Sequence, residues 1–407
     1  MSRPRGDRVV LHVDVDCFYA ACERRREPAL IGEPIVVGMG YEDGESTGAV
    51  ATASYEAREH GVESAQAVSR ALELLPRAED APDGAEPVGH YRPVDMPFYE
   101  SVSEEVRAVL HDVADTVREV SIDEAYLDVT DRVGWHSVGV FAESLRERIG
   151  ETAGVTASVG VAPDMATAKV ASDHDKPDGL VVVEPGEVRE FLAPLPVGQL
   201  HGVGPVTAGE LGEMGIHTAG DLAAADPGAL AERFGERGRE IHARANGRDD
   251  RDVEPVGRPK SLSRESAFHD PTDDVDRIRE RFADLVADVV ARAEDRGALY
   301  RTVGIKVVRP PFEVNTRERS LSGPVADADL VRSVVADLAA EFEGDTVRKV
   351  GVRVSNLSFD AATQADLRGW AEGESGTDDA DESRDGRGTD AGLRGQTSLV
   401  DFLGADR

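Results

Sequence analysis

The sequence predicts an α+β protein built from several domains. It has 407 residues, of which 40% are hydrophobic, so at roughly 150 residues per domain we expect two to four hydrophobic cores. Short apolar runs alternate with helix-like segments up to residue 183, and helical signals broken by glycine fill residues 192–241. Residues 261–357 then repeat strand, helix, two strands, helix and strand. These patterns predict a mixed α/β region, a small helical domain and a second α+β module.

The acidic charge of the chain restricts its class. It carries 46 lysines and arginines against 79 acidic residues, a net charge of −33, and only five of the bases are lysines. An acidic, lysine-poor surface stays soluble at molar salt, where the Debye length falls to about 3 Å, so we expect a halophilic source. Such acidity ordinarily argues against nucleic acid as a partner. At that screening length only charges close to a phosphate matter, so DNA binding remains open.

No feature of the sequence indicates a membrane or secreted protein. No run approaches the roughly 18 apolar residues that span a bilayer, and the N-terminus lacks the apolar core of a signal peptide. Cys17 and Cys22 fit neither a disulfide framework nor a zinc-binding spacing, so we expect reduced thiols. We therefore expect a cytoplasmic monomer without a membrane partner.

The first region opens on an apolar run, residues 9–13, that ends in Asp14 and Asp16 and indicates a buried strand. The signals after it come in the order helix (18–27), strand (34–37), strand and helix (49–59), surface loop (77–90) and helix (100–113). Another strand is expected over residues 120–130, with Asp123 and Glu124 at its middle.

Three carboxylates, Asp14, Asp123 and Glu124, are candidates for metal chemistry. Carboxylates on neighbouring strands can converge on hard cations such as Mg²⁺. Two such ions, about 3.5–4 Å apart, activate a hydroxyl nucleophile and stabilise the leaving oxygen in phosphoryl transfer. Spacing alone leaves the plainer alternative open: Asp14 and Asp16 end a strand, and Asp123 and Glu124 begin a turn.

The motifs around these acids resemble those of Y-family DNA polymerases of the DNA polymerase IV type. Residues 13–20 (VDVDCFYA) and 121–128 (SIDEAYLD) are similar to the two catalytic motifs, and residues 48–58 (GAVATASYEAR) to the fingers motif. The resemblance runs in order from about residue 8 to 357. It implies a right-hand fold with palm, fingers, helical thumb and little finger. It also implies error-prone translesion synthesis that adds dNTPs to the 3′-OH of a primer–template, and no stretch resembles a proofreading exonuclease.

The resemblance gives a role to each site residue. It implies that Asp14, Asp123, Glu124 and the Val15 carbonyl hold two Mg²⁺ ions. Tyr19 would be a steric gate that excludes ribonucleotides, the alternative being a core aromatic residue. The expected contacts to the dNTP triphosphate are Thr52, Tyr55, Arg58 and Lys176. Arg58 could instead be a solvated arginine. Lys169 lies in the helix of the same motif as Lys176, and a solvated or DNA-backbone position is left open for it beside a role at the triphosphate.

The resemblance also implies the domain boundaries. They are palm and fingers (1–190, with the fingers at about 25–90), thumb (191–245), linker (246–259), little finger (260–358), disordered acidic tail (359–394) and clamp-binding peptide (395–404). In the thumb, residues 200–208 resemble a helix-hairpin-helix whose Gly202 and Gly204 expose backbone N–H groups to a DNA phosphate. A plain interhelical turn is the alternative there, and Pro205 removes one of the donors.

The little-finger module is close to neutral, which favours contact with a polyanion. The candidate DNA contacts are Arg264, Arg301, Lys306, Arg317, Arg319, Arg348 and Arg353. One departure from the family lies before Tyr99, where Asp95 stands in a stretch that usually holds a basic residue; this puts one phosphate contact in doubt.

The C-terminus carries a second kind of motif. Gln396, Leu399, Phe402 and Leu403 resemble the PCNA-interacting peptide of replication enzymes, in which a short helical turn fills an apolar pocket on the sliding clamp. Residues 360–395 hold ten acids and four arginines, so we expect a disordered tether. A terminal helix that docks on its own chain is the alternative.

Two other functions would share parts of this sequence pattern. A non-catalytic, clamp-associated DNA-binding relative would have lost its metal ligands, whereas Asp14, Asp123 and Glu124 are intact. A nucleotidyl cyclase with a similar palm would not need the hairpin, the second module or the clamp peptide.

Overall fold

The computed structural model describes residues 8–82 and 84–359. The chain divides into two compact units between Val256 and Gly257. The acidic tail and the clamp peptide, with Gln396, Leu399, Phe402 and Leu403, lie outside the described residues. Within the described residues, no helix is both long and apolar enough to cross a membrane.

The first unit combines two sheets with eleven described helices. Its strands are β1 (Val10–Val15), β2 (Ile35–Met39), β3 (Ala49–Ala53), β4 (His90–Pro93), β5 (Thr116–Glu119), β6 (Glu124–Asp128), β7 (Ala157–Ala162) and β8 (Leu180–Val182). Its helices are α1 (Phe18–Arg26), α2 (Tyr55–Glu59), α3 (Val68–Leu74), α4 (Met96–Val113), α5 (Val138–Ala153), α6 (Met165–His174), α7 (Val188–Leu192), α8 (Pro205–Glu213), α9 (Ala219–Ala224), α10 (Pro227–Phe234) and α11 (Glu236–Ala245).

The larger sheet of this unit has the order β5-β6-β1-β7-β8. β1 is its central strand, antiparallel to both β6 and β7, and all six of its residues are buried. That position explains its nearly continuous apolar sequence, because a strand covered on both faces has no solvent side. The helices α5 and α6 pack on β7.

The expected strand over residues 120–130 is shorter than predicted. β6 begins at Glu124, and Asp123 lies in the turn before it, so the placement of both acids in mid-strand is wrong. The cause is local: the Ser121 Oγ accepts hydrogen bonds from the backbone N–H groups of Asp123 and Glu124, at 3.2 and 3.1 Å. A serine that binds its neighbours' N–H groups favours a turn over a strand ladder.

The smaller sheet has the order β3-β2-β4, with β2 and β4 parallel. Residues 77–90 join α3 to it as an irregular segment in their described part, as the sequence predicts. Its first residue is not on the surface, however. Arg77 is buried, and its Nε donates to the hydroxyl of Tyr41 at 3.0 Å.

The helices α7–α11 form the helical region that the sequence predicts. They share one apolar core with the larger sheet, a cluster that contains Val10 and Met165 as well as Leu211 and Ile241. The sequence predicts a tether from residue 246 onward, but its first half is anchored. Asp249 is buried and accepts a hydrogen bond from Ala166 N at 3.2 Å, and Val253 is also buried.

The second unit has the predicted order of strand, helix, two strands, helix and strand. Its elements are β9 (Ser261–Thr272), α12 (Val275–Asp295), β10 (Tyr300–Arg309), β11 (Glu313–Val325), α13 (Ala328–Ala339) and β12 (Val347–Ser355). The sheet has the order β11-β10-β12-β9, and both helices pack on it around a common core.

Candidate active site

The candidate site lies where β1 and β6 meet. Asp14 is paired with Glu124 across the two strands, and Val15 N donates to the Asp123 carbonyl at 2.9 Å. The antiparallel register therefore places Asp14, Val15, Asp123 and Glu124 at one end of the sheet. Asp123 also accepts a hydrogen bond from the Ser121 hydroxyl.

Two lysines contact these carboxylates. The Lys169 Nζ lies 2.7 Å from Asp14 Oδ2, 3.0 Å from Glu124 Oε2 and 3.3 Å from Asp173 Oδ2. The Lys176 Nζ lies 2.6 Å from Asp14 Oδ1 and 3.0 Å from Asp173 Oδ1. Lys169 thus belongs to the carboxylate cluster, and of the positions that the sequence left open for it, it occupies one at the site.

A buried histidine, His12, lies next to the carboxylate cluster. His12 has no exposed surface, and its Nδ1 lies 2.8 Å from the Ser172 Oγ. Because that hydroxyl donates to the Lys169 carbonyl at 2.8 Å, it accepts from an Nδ1–H of His12. The Nε2 atom then faces Glu124 Oε2 at 3.4 Å with no hydrogen-bond partner among the described residues. Burial lowers the pKa of His12, which keeps the ring neutral.

The pKa values of the three acids are shifted in different directions. Burial would raise the pKa of Asp14, but Lys169 and Lys176 outweigh it and lower that pKa. Burial would also raise the pKa of Glu124, but its charged surroundings, among them the Lys169 ammonium 3.0 Å away, lower that pKa to about 2. Among the residues that the structure describes, no cation contacts Asp123: burial, with the nearby Asp14, raises its pKa to about 6. The cluster therefore holds negative charge and offers hard oxygen donors, the ligand type that suits divalent cations.

The donor set fits a metal ion. Ligand atoms of His12, Asp14 and Glu124 lie within 4.8 Å of one another, close enough to share one cation. Asp123 adds a third carboxylate next to Glu124 in the chain. The His12 Nε2 is an unpartnered buried atom at this site, so the structure offers one nitrogen besides the oxygens.

Tyr19 lies in the first turn of α1, close to the acids. Its side chain is buried, and its ring stacks on that of Tyr99 with centroids 4.6 Å apart. Burial and the nearby Asp123 carboxylate raise the pKa of the Tyr19 phenol, so it stays protonated. Phe18, before it, is buried in the core.

The predicted triphosphate contacts come from two directions. Thr52 is on β3, and Tyr55 begins α2 with its hydroxyl donating to Asp16 Oδ1 at 3.1 Å. The Arg58 Nε donates to the Ala53 carbonyl at 3.0 Å, and its guanidinium lies 5.0 Å from the Tyr55 ring centroid.

Asp16 connects this group to the sheet. It also accepts from the Ser158 hydroxyl at 2.9 Å and from Asp178 N at 2.8 Å, two residues after Lys176. Asp16 therefore holds Tyr55 and the Lys176 turn on opposite sides of one carboxylate. The structure brings Tyr55 and Lys176 towards the acids, whereas the described contacts of Thr52 do not include them.

Two of the predicted DNA contacts, Gly202 and Gly204, lie at the start of α8. Gly202 adopts φ +91°, a left-handed backbone conformation that favours glycine over other residues. Gly204 precedes α8 as its N-cap, with open space around it. The Gly202 carbonyl accepts from Arg237 Nη2 at 3.0 Å.

In the second unit, the candidate arginines differ in their contacts. Arg264 lies 3.8 Å from Asp288, Arg348 stacks over the Phe312 ring at 4.6 Å, and Arg301 is exposed.

The sequence reasoning missed His12 and Asp173 and left Lys169 undecided. His12 stands two residues before Asp14 on the same strand face, a period-2 relation that is visible in the sequence. Asp173 follows Lys169 by one helical turn, also a visible signal.

Comparison with known proteins adds family matches. The impB/mucB/samB family model matches residues 13–173, and the model of its C-terminal domain matches residues 259–367. The IMS family HHH motif matches residues 185–216, which contain Gly202 and Gly204.

Full-length relatives and solved structures agree with these matches. The DNA polymerase IV of Halobacterium salinarum is 60% identical over 372 residues, 91% of this chain and 90% of that protein. The DNA polymerase IV of Methanoculleus marisnigri is 42% identical over 363 residues, 89% of this chain and 98% of that protein. The Y-family DNA polymerase chimera Dbh-Dpo4(243-245)-Dbh has a TM-score of 0.77 at 28% identity, covering 86% of this chain and 100% of the other. The insertion ternary complex of Dbh DNA polymerase has a TM-score of 0.61 at 26% identity, with the same coverage.

Proposed function

This chain belongs to the Y-family DNA polymerases, in the DNA polymerase IV group, and on that premise we propose that it extends primers by two-metal phosphoryl transfer at Asp14, Asp123 and Glu124. Membership makes it a DNA-directed DNA polymerase of translesion synthesis. Y-family polymerases depend on metal ions, and we propose Mg²⁺ because the acids supply hard oxygen ligands.

The acids would hold the ions, with the Val15 carbonyl as a further ligand. When bound, such ions activate the primer 3′-OH and neutralise charge on the leaving pyrophosphate. The chain's own contribution is positioning: the β1–β6 register fixes Asp14 opposite Glu124, and Ser121 fixes Asp123. Lys169 and Lys176 reduce the repulsion among the acids before substrate binds.

The incoming nucleotide would be held from both sides of Asp16. Tyr55, Arg58 and Thr52 would approach its triphosphate from the smaller sheet, and Lys176 from the turn before β8. Guanidinium and ammonium groups suit phosphate oxygens, the former in a bidentate fashion. Tyr19 would stand where a ribose 2′-OH enters and so reject ribonucleotides.

Primer–template DNA is the proposed polymer substrate, since a Dbh relative is described as an insertion ternary complex. Gly202 and Gly204 would offer backbone N–H groups to a phosphate, and Arg264, Arg301 and Arg348 would add contacts from the second unit. We also propose that the enzyme lacks proofreading, because no part of the sequence resembles an exonuclease.

The observation that carries the proposal is the cluster of Asp14, Asp123 and Glu124 at one strand end. It is tested by single-nucleotide extension of a primed template in high KCl with Mg²⁺. Asp123→Ala should abolish extension, and Asp115→Ala, which removes an exposed acid paired with Arg132, should leave it intact. Tyr19→Ala should admit ribonucleotides.

Extension by Asp123→Ala at the wild-type rate would remove the metal role from these acids. A folded, DNA-binding wild type that never extends a primer would favour the non-catalytic, clamp-associated relative.

The C-terminal motif supports a second proposal, that a PCNA-type sliding clamp binds Gln396, Leu399, Phe402 and Leu403. The long acidic segment before it would raise the local concentration of the enzyme at the clamp. Phe402→Ala should abolish stimulation of synthesis by the clamp, whereas Val400→Ala, outside the motif, should not. Equal stimulation of both variants would contradict the proposal.

A further inference from the structure

The helix α1 carries both the gate residue and a buried acid one turn later. Tyr19 and Glu23 are four residues apart, so they share a helix face. The Tyr19 ring stacks on the Tyr99 ring with an interplanar angle of 16°. The Tyr99 hydroxyl in turn donates to Glu23 Oε1 at 2.7 Å. Glu23 therefore contacts Tyr19 indirectly: it is hydrogen-bonded to Tyr99, whose ring stacks on that of Tyr19, the residue that would select the sugar.

Glu23 is an unusual residue for this position. It is 3% exposed and Tyr99 is fully buried. Burying a carboxylate is costly unless it is paired, and an apolar pair of similar volume is often as stable as a buried polar one. Its partners are the Tyr99 hydroxyl and the more distant Arg26, at 3.8 Å. The hydrogen bond between Tyr99 and Glu23 fixes the orientation of the Tyr99 side chain, which apolar packing alone would not do.

That direction matters because stacking is weakly directional. Offset rings can slide over one another at small cost, whereas a hydrogen bond to the ring's hydroxyl fixes its far end. Tyr99 can then shift only if the bond to Glu23 breaks. A steric gate excludes ribonucleotides because its ring clashes with the 2′-OH. In a closely packed site a few tenths of an ångström decide whether that hydroxyl fits, so the Tyr99 ring behind Tyr19 has to be held in place.

We propose that Glu23 is a positioning residue for sugar selection, which acts by locking Tyr99 against the face of Tyr19. The inference rests on the proposed role of Tyr19 as the steric gate. Glu23 touches neither substrate nor metal in this role. Its loss relaxes the backing ring, so that ribonucleotides enter more readily while deoxynucleotides bind as before.

The expected effect is one of selectivity. The ratio of kcat/KM for dNTP to kcat/KM for rNTP should fall about three- to tenfold when the bond is removed, the range expected for one buried hydrogen bond. The change should arise in the rNTP term, with kcat/KM for dNTP within about twofold of wild type.

The test uses the full chain in single-nucleotide extension with matched dNTP and rNTP. Tyr99→Phe and Glu23→Leu both remove the bond, and each should lower the selectivity ratio. Glu23→Gln keeps an acceptor oxygen and should retain it. The double variant should be no less selective than either single one, because one interaction cannot be lost twice.

Tyr91→Phe is the matched control. The Tyr91 hydroxyl donates to the Leu75 carbonyl at the same 2.7 Å, and its ring is buried in the core of the smaller sheet. It removes an equivalent bond and should leave sugar selection unchanged.

The outcomes separate the two hypotheses. If Tyr19→Ala admits rNTP but Tyr99→Phe and Glu23→Leu do not, the gate stands and the role of Glu23 is wrong. If Tyr19→Ala does not admit rNTP, the gate itself fails. Additive losses in the double variant, or an equal loss in Tyr91→Phe, would also overturn the inference. Tyr99→Phe removes one oxygen, so it keeps the test valid even where Glu23→Leu fails to fold.

Discussion

At the scale of single residues, Lys169 stands out because its ammonium already neutralises the acids. It contacts Asp14 at 2.7 Å and Glu124 at 3.0 Å, so a divalent cation that binds these oxygens must compete with it. Lys169→Met should therefore strengthen Mn²⁺ binding to the DNA-free enzyme about three- to tenfold, the scale of about 1 kcal/mol for one charge pair near a surface. Electron paramagnetic resonance of free Mn²⁺ measures this directly.

The exposed Lys260 provides the control for that measurement. Lys260→Met removes the same charge from the chain without touching the acids, and Mn²⁺ binding should stay unchanged. Unchanged binding by Lys169→Met would show that the ammonium does not compete with the cation, and weaker binding would show that it supports the site.

Part of the site is predictable from the sequence at this scale. Asp14 and Glu124 could be placed together because strand ends carry them and motifs surround them. The position of Lys169 could not, because its side chain reaches the acids from α6, and its direction depends on how that helix packs on β7. The contact between Tyr99 and Glu23 could not be predicted either, because 76 positions separate the two residues in the chain and only the packing of α4 against α1 brings them together.

At the scale of elements, the contact between β7 and α6 is set by a glycine. A Cβ at Gly160 would lie 2.1 Å from the Ala168 carbonyl and 2.2 Å from Ser172 N, both backbone atoms of the helix that carries Lys169. Gly160→Ala should destabilise the protein by at least about 3 kcal/mol, because backbone cannot yield as a side chain does. Chemical denaturation followed by circular dichroism measures the loss.

Gly209 is the counterpart for comparison. It is exposed inside α8 with open space where a Cβ would stand, so Gly209→Ala should stabilise the protein by about 0.5–1 kcal/mol. Equal effects of the two substitutions would mean that helix propensity, and not the close approach of α6, decides the result at Gly160.

The order of elements was predictable where patterns are regular. The second unit follows its alternating signals, and its order of strands and helices is confirmed. The strand expected over 120–130 was too long because one hydroxyl, that of Ser121, captures two N–H groups. Such a local side-chain bond overrides the alternation of apolar and polar residues.

At the scale of the whole molecule, charge is distributed unevenly. Residues 1–257 hold 24 bases and 49 acids, whereas residues 258–357 hold 17 bases and 18 acids. Repulsion within the first unit should weaken as salt screens it, so the midpoint of thermal unfolding should rise by at least several degrees as KCl increases. Most of the rise should come below about 1 M, where the Debye length is already near 3 Å.

Circular dichroism at a series of KCl concentrations tests this, and a midpoint independent of KCl would contradict it. The acidic, lysine-poor composition behind this prediction indicates a halophilic source, and this agrees with the 60% identity to the protein of Halobacterium salinarum.

The anchored start of the segment after α11 shortens the unanchored part of the connection between the two units. Asp249 is bonded to α6, Val253 is buried, and the Glu254 carbonyl accepts from Arg118 Nη1 at 3.1 Å, so the part of the chain between these anchors and β9 comprises residues 255–260. Six residues extend at most about 22 Å. Asp249→Asn would weaken the attachment at its base, which would lengthen that free span and alter the helix that holds Lys169. A shortened connection would therefore do two things: it would reduce the distance that the connection can span, and it would strain the bond between Asp249 and the helix that carries Lys169 to the acids.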